Sequence, residues 1–215
     1  GVIMLGDYPQ PAFVQSLLDS ELPCIVFDRN LRGNRTGYVS SDDEGGAAMA
    51  VRHLADAGRT RIAHVSGPGW SFETAKRLEA YKRTVQEAGL PVRPEYIREA
   101  EYSVESGAVQ GRQLLSLAEP PDAVFCGADM IAEGVIQAAK ELQVAIPDQL
   151  MIVGYDDLPF CEYLNPKLST IRQERKAMGK LAAEAVLRMI ADPESAPGDH
   201  TAEVSLVVRE SSGRP

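Results

Sequence analysis

The sequence reads as an α/β protein built on mostly parallel sheets. Two observations carry that reading. Unbroken apolar runs of strand length, such as Cys24-Ile-Val-Phe, Ala123-Val-Phe-Cys126 and Met151-Ile-Val, alternate along the chain with segments whose apolar residues recur at the helical spacing of three and four. The strand runs are also apolar throughout instead of alternating with polar residues, as expected of a parallel sheet covered on both faces.

Taken in order, residues 2–5 (Val-Ile-Met-Leu) and 24–28 form buried strands, with Phe13, Leu17 and Leu18 marking a short helix between them. Residues 37–41 are a weaker strand. Ala47, Ala50, Val51, Leu54 and Ala55 repeat as a helix stopped by Gly58. Ile62–Ser66 is the next strand. Ala75, Leu78, Tyr81, Val85 and Ala88 give a helix ending at Gly89, with Pro91 beyond. Tyr96-Ile97 is a short strand. Ala108, Gly111, Leu114, Leu115 and Ala118 form a helix closed by Pro120-Pro121. Strand 123–126, a helix through Ile131, Val135, Ala138, Ala139 and Leu142, and strand 151–153 follow. Leu168–Ile171 is a second short strand, residues 174–190 a helix burying Met178, Leu181, Ala185, Val186 and Met189, and Val204–Val208 a closing strand. Residues 61–156 thus make a complete β-α-β-α-β-α-β lobe. Before residue 45 there are three strands and one short helix, a poor α/β layer, and the chain opens inside a strand. The expectation is a first lobe completed by residues upstream of this chain.

Composition bounds the function. With 44% hydrophobic and 25% charged residues the chain is ordinary globular material, and no apolar run reaches the roughly 18–20 residues of a membrane helix. The net charge of −9 makes it a poor direct binder of phosphate backbones, which need clustered Lys and Arg. The basic spots Arg29/Arg32/Arg35 and Arg59/Arg61 are small and read as solvated. Three widely spaced cysteines, Cys24, Cys126 and Cys161, without a Cys-x-x-Cys, signal neither a zinc site nor a disulfide framework. No cofactor or metal is expected.

The stretch 151–173 is the most telling. A buried strand, Ile152-Val153, runs into Gly154-Tyr155-Asp156-Asp157. Two carboxylates therefore sit at the carboxyl end of a parallel strand, where open α/β sheets hold ligands. Together with Pro166-x-Leu168-Ser169-Thr170-Ile171, this arrangement resembles the effector-binding domain of the LacI/GalR transcription regulators. The likeness continues along the chain. It includes Gly1-Val-Ile-Met-Leu-Gly6, Pro23-Cys-Ile-Val-Phe-Asp28-Arg29, Val39-x-x-Asp42-Asp43-Glu44-Gly45-Gly46-Ala47, Ser66-Gly67-Pro68, Arg77-Leu78-x-x-Tyr81, Glu105-Ser106-Gly107, Ile146-Pro147 and Val207-Val-Arg-Glu-Ser211-Ser212. Each motif alone is weak; their order and spacing are specific.

The resemblance implies a periplasmic-binding-protein-like fold of two Rossmann-like lobes. Residues 1–43 and 169–190 would form the first, incomplete lobe, and 44–168 with 191–215 the second. It implies an effector bound between the lobes, a sugar favoured over a nucleobase, through Arg77, Asp156 and Tyr102. Trp70, Ser71 and Phe72 in the loop after strand 62–66, and Asp42 and Asp129 at corresponding strand ends, would join them. Without the family, Arg77 reads as a solvated helix arginine, Asp156 as a turn or cap aspartate, Tyr102 as core and Trp70 as partly exposed packing. Ala128 stands where many family members carry asparagine. The resemblance further implies a cytoplasmic homodimer. It would pair through the outer face of helix 130–142 and the Leu158–Leu164 loop, with Phe160 and Tyr163, and act on operator DNA through a helix-turn-helix domain absent from this chain.

Two other classes fit the sequence less well. A periplasmic sugar-binding protein of a transport system shares the fold, but the unpaired cysteines and the absence of a leader weigh against it. Catalysis is disfavoured. Gly67-Pro-Gly69-Trp-Ser-Phe72 has Phe72 where a dinucleotide loop needs its third glycine, no Gly-x-Ser-x-Gly elbow occurs, and His53 (helix), His64 (strand) and His200 (polar tail loop) have no nucleophile at recognisable spacing.

Overall fold

A computed structural model describes residues 1–5, 11–29, 31 and 33–213. Gly6 and Arg32, named above, lie outside them. The elements are β1 (Val2–Met4), α1 (Pro11–Leu18), β2 (Cys24–Phe27), β3 (Thr36–Ser41), α2 (Asp43–Asp56), β4 (Ile62–Ser66), α3 (Phe72–Glu87), β5 (Ile97–Glu99), α4 (Val104–Leu115), β6 (Ala123–Cys126), α5 (Asp129–Glu141), β7 (Met151–Asp156), β8 (Ser169–Gln173), α6 (Arg175–Ala191), β9 (Asp199–Ala202) and β10 (Val204–Val207), with 3₁₀ turns at Pro94–Tyr96 and Pro159–Glu162.

The chain divides into two compact units, Gly1–Asp42 with Glu174–Glu203, and Asp43–Gln173 with residues from Val204 onward. The smaller unit is a parallel four-stranded sheet in the order β1-β2-β3-β9. Successive residues of β2 explain why that strand is apolar throughout. Ile25 faces α6 through Met178, Ala182, Ala185 and Met189, while Cys24 and Val26 pack on the other side with Met4 and Leu17.

The larger unit holds six strands in the order β10-β8-β7-β6-β4-β5, parallel except for β10. On one face α2 and α3 bury Val51, Leu54, Tyr81 and Val85 against Phe125, Val153 and Ile171. On the other, Leu114 of α4 and Ile131, Val135 and Ile136 of α5 close over Val65, Val124 and Ile152. Gly58 and Gly89 end α2 and α3 with φ of +83° and +72°, the left-handed turn that glycine makes without cost. Helices α4 and α5 touch backbone to backbone: a Cβ at Gly134 would collide with the Val104 carbonyl and the Ala108 amide. Gly134→Ala is therefore expected to destabilise the unit by about 1–3 kcal/mol through forced separation of the two helices. Urea unfolding checks this, and an unchanged midpoint would refute the close approach.

The structure corrects three boundaries. Asp43 opens α2 and belongs to the larger unit, not to the first lobe. Residues 169–173 do not return to the first unit; Ser169 pairs with Val153 and Thr170 with Gly154, so β8 belongs to the larger sheet. Residues 191–203 do not belong to the second unit, because Asp199–Ala202 pair with Tyr38–Ser41. His200 therefore lies in strand β9 rather than in a tail loop. Tyr96 lies in a 3₁₀ turn, with the strand shifted to Ile97–Glu99. His64 is a core residue. It stacks between Tyr81 and Phe125 with ring centroids 5.1 and 4.8 Å away, and Nδ1 lies 2.9 Å from the Phe125 carbonyl. Burial pushes its pKa down to about 4, so it is neutral at physiological pH.

Candidate functional site

In the larger sheet the chain runs from β4 outward to β5, then returns to the opposite side of β4 to build β6, β7 and β8. The order reverses between β4 and β6, and connections leaving their carboxyl ends diverge there; in open α/β sheets this is where ligands sit. Two glycines let the backbones meet at that point. A Cβ on Gly127 would stand 3.0 Å from the Gly67 amide, and one on Gly67 would press at 2.5 Å into the Tyr102 ring.

Arg77 lies beneath this crossing, on α3, only 5% exposed. Its Nε and Nη2 donate to Asp43 Oδ1 at 3.0 and 2.8 Å, and Nη1 donates to the Gly127 carbonyl at 2.7 Å. The guanidinium lies over the Tyr155 ring, 3.6 Å from its centroid. Burial works to lower the Arg77 pKa, but the Asp43 carboxylate outweighs it, and Tyr155 and Asp156 add to the rise. Arg77 is thus neither a solvated helix arginine nor a free cation. It is a fixed donor whose charge is balanced internally.

Tyr102 stands beside it. Its hydroxyl shares hydrogen bonds with Ser71 Oγ (2.8 Å) and Thr74 Oγ1 (3.2 Å). Ser71 also caps α3 by accepting from the Thr74 amide. Trp70 meets Tyr102 edge-on, ring centroids 6.1 Å apart. Trp70 and Phe72 are both exposed. Phe72 is the first residue of α3 rather than a loop residue.

Asp156 ends β7 with φ of 120° and Asp157 follows with φ of 53°. Consecutive non-glycine residues in this region cost conformational energy, and such strain gathers at functional turns. The two carboxylates differ. Asp157 accepts from Arg172 Nε (2.6 Å) and Arg209 Nη2 (2.8 Å); burial opposes its charge, but the two arginines win and hold its pKa below the usual carboxylate range. Half-buried Asp156 accepts from Gln173 Nε2 at 2.5 Å.

Asp129, expected to contact a ligand, is fully buried. Its Oδ1 accepts from Thr170 Oγ1 at 2.5 Å, and Oδ2 from the Leu158 amide at 2.8 Å and Cys161 Sγ at 3.1 Å. This geometry makes it a strut between α5 and the segment after β7. Asp42 is exposed in the smaller unit at the end of β3, its amide donating to the Ala202 carbonyl at 2.9 Å. Ala128 precedes α5 and makes no side-chain cap. Arg77, Tyr102, Ser71, Trp70 and Phe72 therefore form one group with Asp156 close by. Asp43 and Tyr155 belong to it and were not singled out from the sequence. Their signal was slight: an acidic first-turn residue on α2 and an aromatic in an apolar strand. Asp28, at the end of β2 with φ of 61°, is a further strand-end carboxylate of the smaller unit.

On the surface expected to pair two copies, buried and exposed residues divide as follows. The apolar residues of α5 are internal, Ile131, Ala132, Val135 and Ala139 among them, and Phe160 packs on the same core; Tyr163 is 84% exposed.

Comparison with known proteins places the chain. A family profile described as a periplasmic binding protein-like domain matches residues 51–212. A solved regulatory protein of the LacI family from Chloroflexus aggregans superposes with a TM-score of 0.89 at 31% identity, covering 98% of this chain and 76% of that one. The chain belongs to the LacI family of periplasmic binding protein-like domains. Another solved structure, the transcriptional regulator CelR in complex with cellobiose, gives a TM-score of 0.91 at 26% identity, over 98% of this chain and 65% of the other. The ribose operon repressor of Haemophilus influenzae is 33% identical over 210 residues, 98% of this chain. This LacI-family chain spans 63% of that repressor's length, and 65% of the second curated repressor it matches.

Proposed function

We propose that this chain is the ligand-sensing part of a LacI-type transcriptional repressor and that its effector is a small sugar. The observation that supports this most is the group at the β4/β6 switch point. A buried arginine with three of its five N–H donors already committed keeps a fixed guanidinium edge. An aspartate on a strained turn accepts hydroxyls, and a tyrosine offers its ring. Fixed donors, fixed acceptors and an aromatic face are the chemistry of polyol recognition. Relatives named for ribose and cellobiose agree with that class.

The ligand would bias one of two states of the domain by differential affinity. DNA binding would reside in a helix-turn-helix domain outside these residues, in keeping with the net charge of −9. A regulator of this kind works in the cytoplasm as a homodimer, with exposed Tyr163 on the pairing surface, and does no chemistry on its ligand.

A thermal-shift screen of ribose, glucose, disaccharides and nucleosides tests the reading. An effector at a hundred times its Kd stabilises by about 2.7 kcal/mol. A neutral sugar is expected to raise Tm, and Asp156→Ala to abolish the rise. A rise from nucleosides alone would replace the sugar with a base, and one that survives Asp156→Ala would place the ligand elsewhere.

A further inference from the structure

The turn that carries Asp156 does not hold itself. Asp156 and Asp157 stand at φ of 120° and 53° in succession, and neighbouring residues with side chains keep such angles only where their surroundings impose them. Part of the restraint comes from β8, the strand paired with β7. Gln173 Nε2 donates to Asp156 Oδ1 at 2.5 Å, Arg172 Nε to Asp157 Oδ2 at 2.6 Å, and the Asp157 amide to Thr170 Oγ1 at 3.4 Å. Another part comes from far along the chain. Arg209, just beyond the end of β10, donates from Nη2 to Asp157 Oδ1 at 2.8 Å.

Exposure separates the two arginines. The Arg172 side chain is 44% exposed, whereas those of Arg209 and Asp157 are each 10% exposed. Water screens the first pair more than the second, so Arg209 is the stronger hold. Glu162 approaches the same nitrogen at 3.4 Å, but at 60% exposure it competes poorly. Arg209 is itself fixed: Nη1 donates to the Leu168 carbonyl at 2.8 Å, and its amide to Ser169 Oγ at 2.7 Å. Beyond it, Ser211 Oγ accepts from the Ser169 amide and donates to the Ile152 carbonyl, and the Ser211 carbonyl accepts from the Ile152 amide. These serine bonds fasten the C-terminal segment to β7 and β8 without the Arg209 side chain, whose fork is therefore spent on the turn.

We propose that Arg209 is a positioning residue for the ligand. Acting through Asp157, it holds the end of β7 in the backbone conformation that presents the Asp156 carboxylate to the site. This rests on the site reading given under the proposed function, and adds to it a residue that acts from the C-terminal segment without contacting the ligand.

Ribose, glucose and cellobiose are the probes. Calorimetry at a temperature where every variant is folded gives Kd separately from stability. Arg209→Met is expected to weaken the sugar that binds about tenfold, as the carboxylate leaves hydrogen-bonding reach. Asp157→Asn should lose a similar factor. The double variant should be no more than about threefold weaker than either single, because both changes break one link. Arg209→Lys keeps the charge but not the fork, and should recover part of the loss. A residue that only fastened the C-terminal segment would lower Tm and leave Kd within about twofold. That result, or losses that multiply in the double variant, would overturn the inference. If Arg209→Met does not fold, Arg209→Lys should weaken binding in the wild-type background and not beside Asp157→Asn; an equal effect in both would overturn it. Asp156→Ala is the control. If it abolishes binding while Arg209→Met is silent, this inference alone falls. If binding survives it, or none of the three sugars binds, the site reading falls as well.

Discussion

Asp43→Ala is expected to be among the most damaging single substitutions in this chain, costing about 3–5 kcal/mol, because it strands a buried arginine. The Asp43 side chain is completely covered, one of its oxygens takes both the Nε and Nη2 hydrogen bonds of Arg77, and Lys76 approaches the other at 3.6 Å. Removing the carboxylate leaves a guanidinium at 5% exposure with the Gly127 carbonyl and the Tyr155 ring as its remaining partners. Those cannot replace a counter-charge. Asp43→Asn keeps the shape and one acceptor but not the charge, and should fall between. The double change Asp43→Leu with Arg77→Met removes both charges together and should recover much of the loss, since a buried pair is often close to neutral against apolar replacements. Urea unfolding of these three variants, together with the single changes Asp43→Leu and Arg77→Met that complete a double-mutant cycle, checks this. If Asp43→Ala shifted stability by less than about 0.5 kcal/mol, as an ordinary surface change does, the Asp43–Arg77 pair would not be what fixes the guanidinium.

The second large effect is a pH dependence centred on Asp129. Burial pushes its carboxyl up to about 7; the bonds from Thr170, Leu158 and Cys161 hold it down against a further rise, and Asp156 nearby adds to the elevation. The folded-state pKa is thus above the unfolded value of about 3.9. The folded state binds the proton more tightly, so this group's contribution is fully present below about pH 4 and is lost as pH rises through about 7. Across that window stability should fall by up to about 1.4 kcal/mol per pH unit for this one proton. Burial pushes His64 down to about 4 from the ordinary 6.5, so it runs the other way, gaining stability as pH rises from about 4 to about 6.5 and offsetting much of the Asp129 slope there. The readout is therefore the difference between wild type and Asp129→Asn from about pH 4 to 7, in which the His64 contribution cancels: wild type should lose stability relative to the variant as pH rises. A slope unchanged by Asp129→Asn would mean that its three donors keep the carboxylate ionised throughout.

Much of the fold was readable from local pattern. The strands of the larger sheet are buried on both faces, so their residues are apolar one after another, and the helices between them carry period-3.6 stripes ended by Gly58 and Gly89. What escaped did so for physical reasons. Asp199-His-Thr-Ala202 makes an edge strand of the smaller sheet with no apolar run, because edge position relaxes the need to bury both faces. Gln173 and Arg172 extend β8 beyond its apolar half for the same backbone pairing, which no side-chain pattern announces.

The site was legible by position and not by direction. The reversal of strand order between β4 and β6 could be placed only after the pairing was known, although the residues that gather there were singled out. Asp129 and Asp156 both stand at strand ends; the donors that turn Asp129 inward come from Thr170, Leu158 and Cys161, about thirty to forty residues away in sequence. Asp43 was hidden because an acidic residue opening a helix is ordinary. Its partner Arg77, thirty-four residues on, makes it exceptional.

The most direct measurement is a map of amide chemical-shift changes on adding the sugar that gives the largest thermal shift. The account predicts that the changes concentrate at Trp70, Arg77, Tyr102 and Asp156, around the β4/β6 reversal. Changes gathered instead at the surface lined by Glu162, Tyr163, Lys167 and Arg209, with the switch point silent, would contradict it.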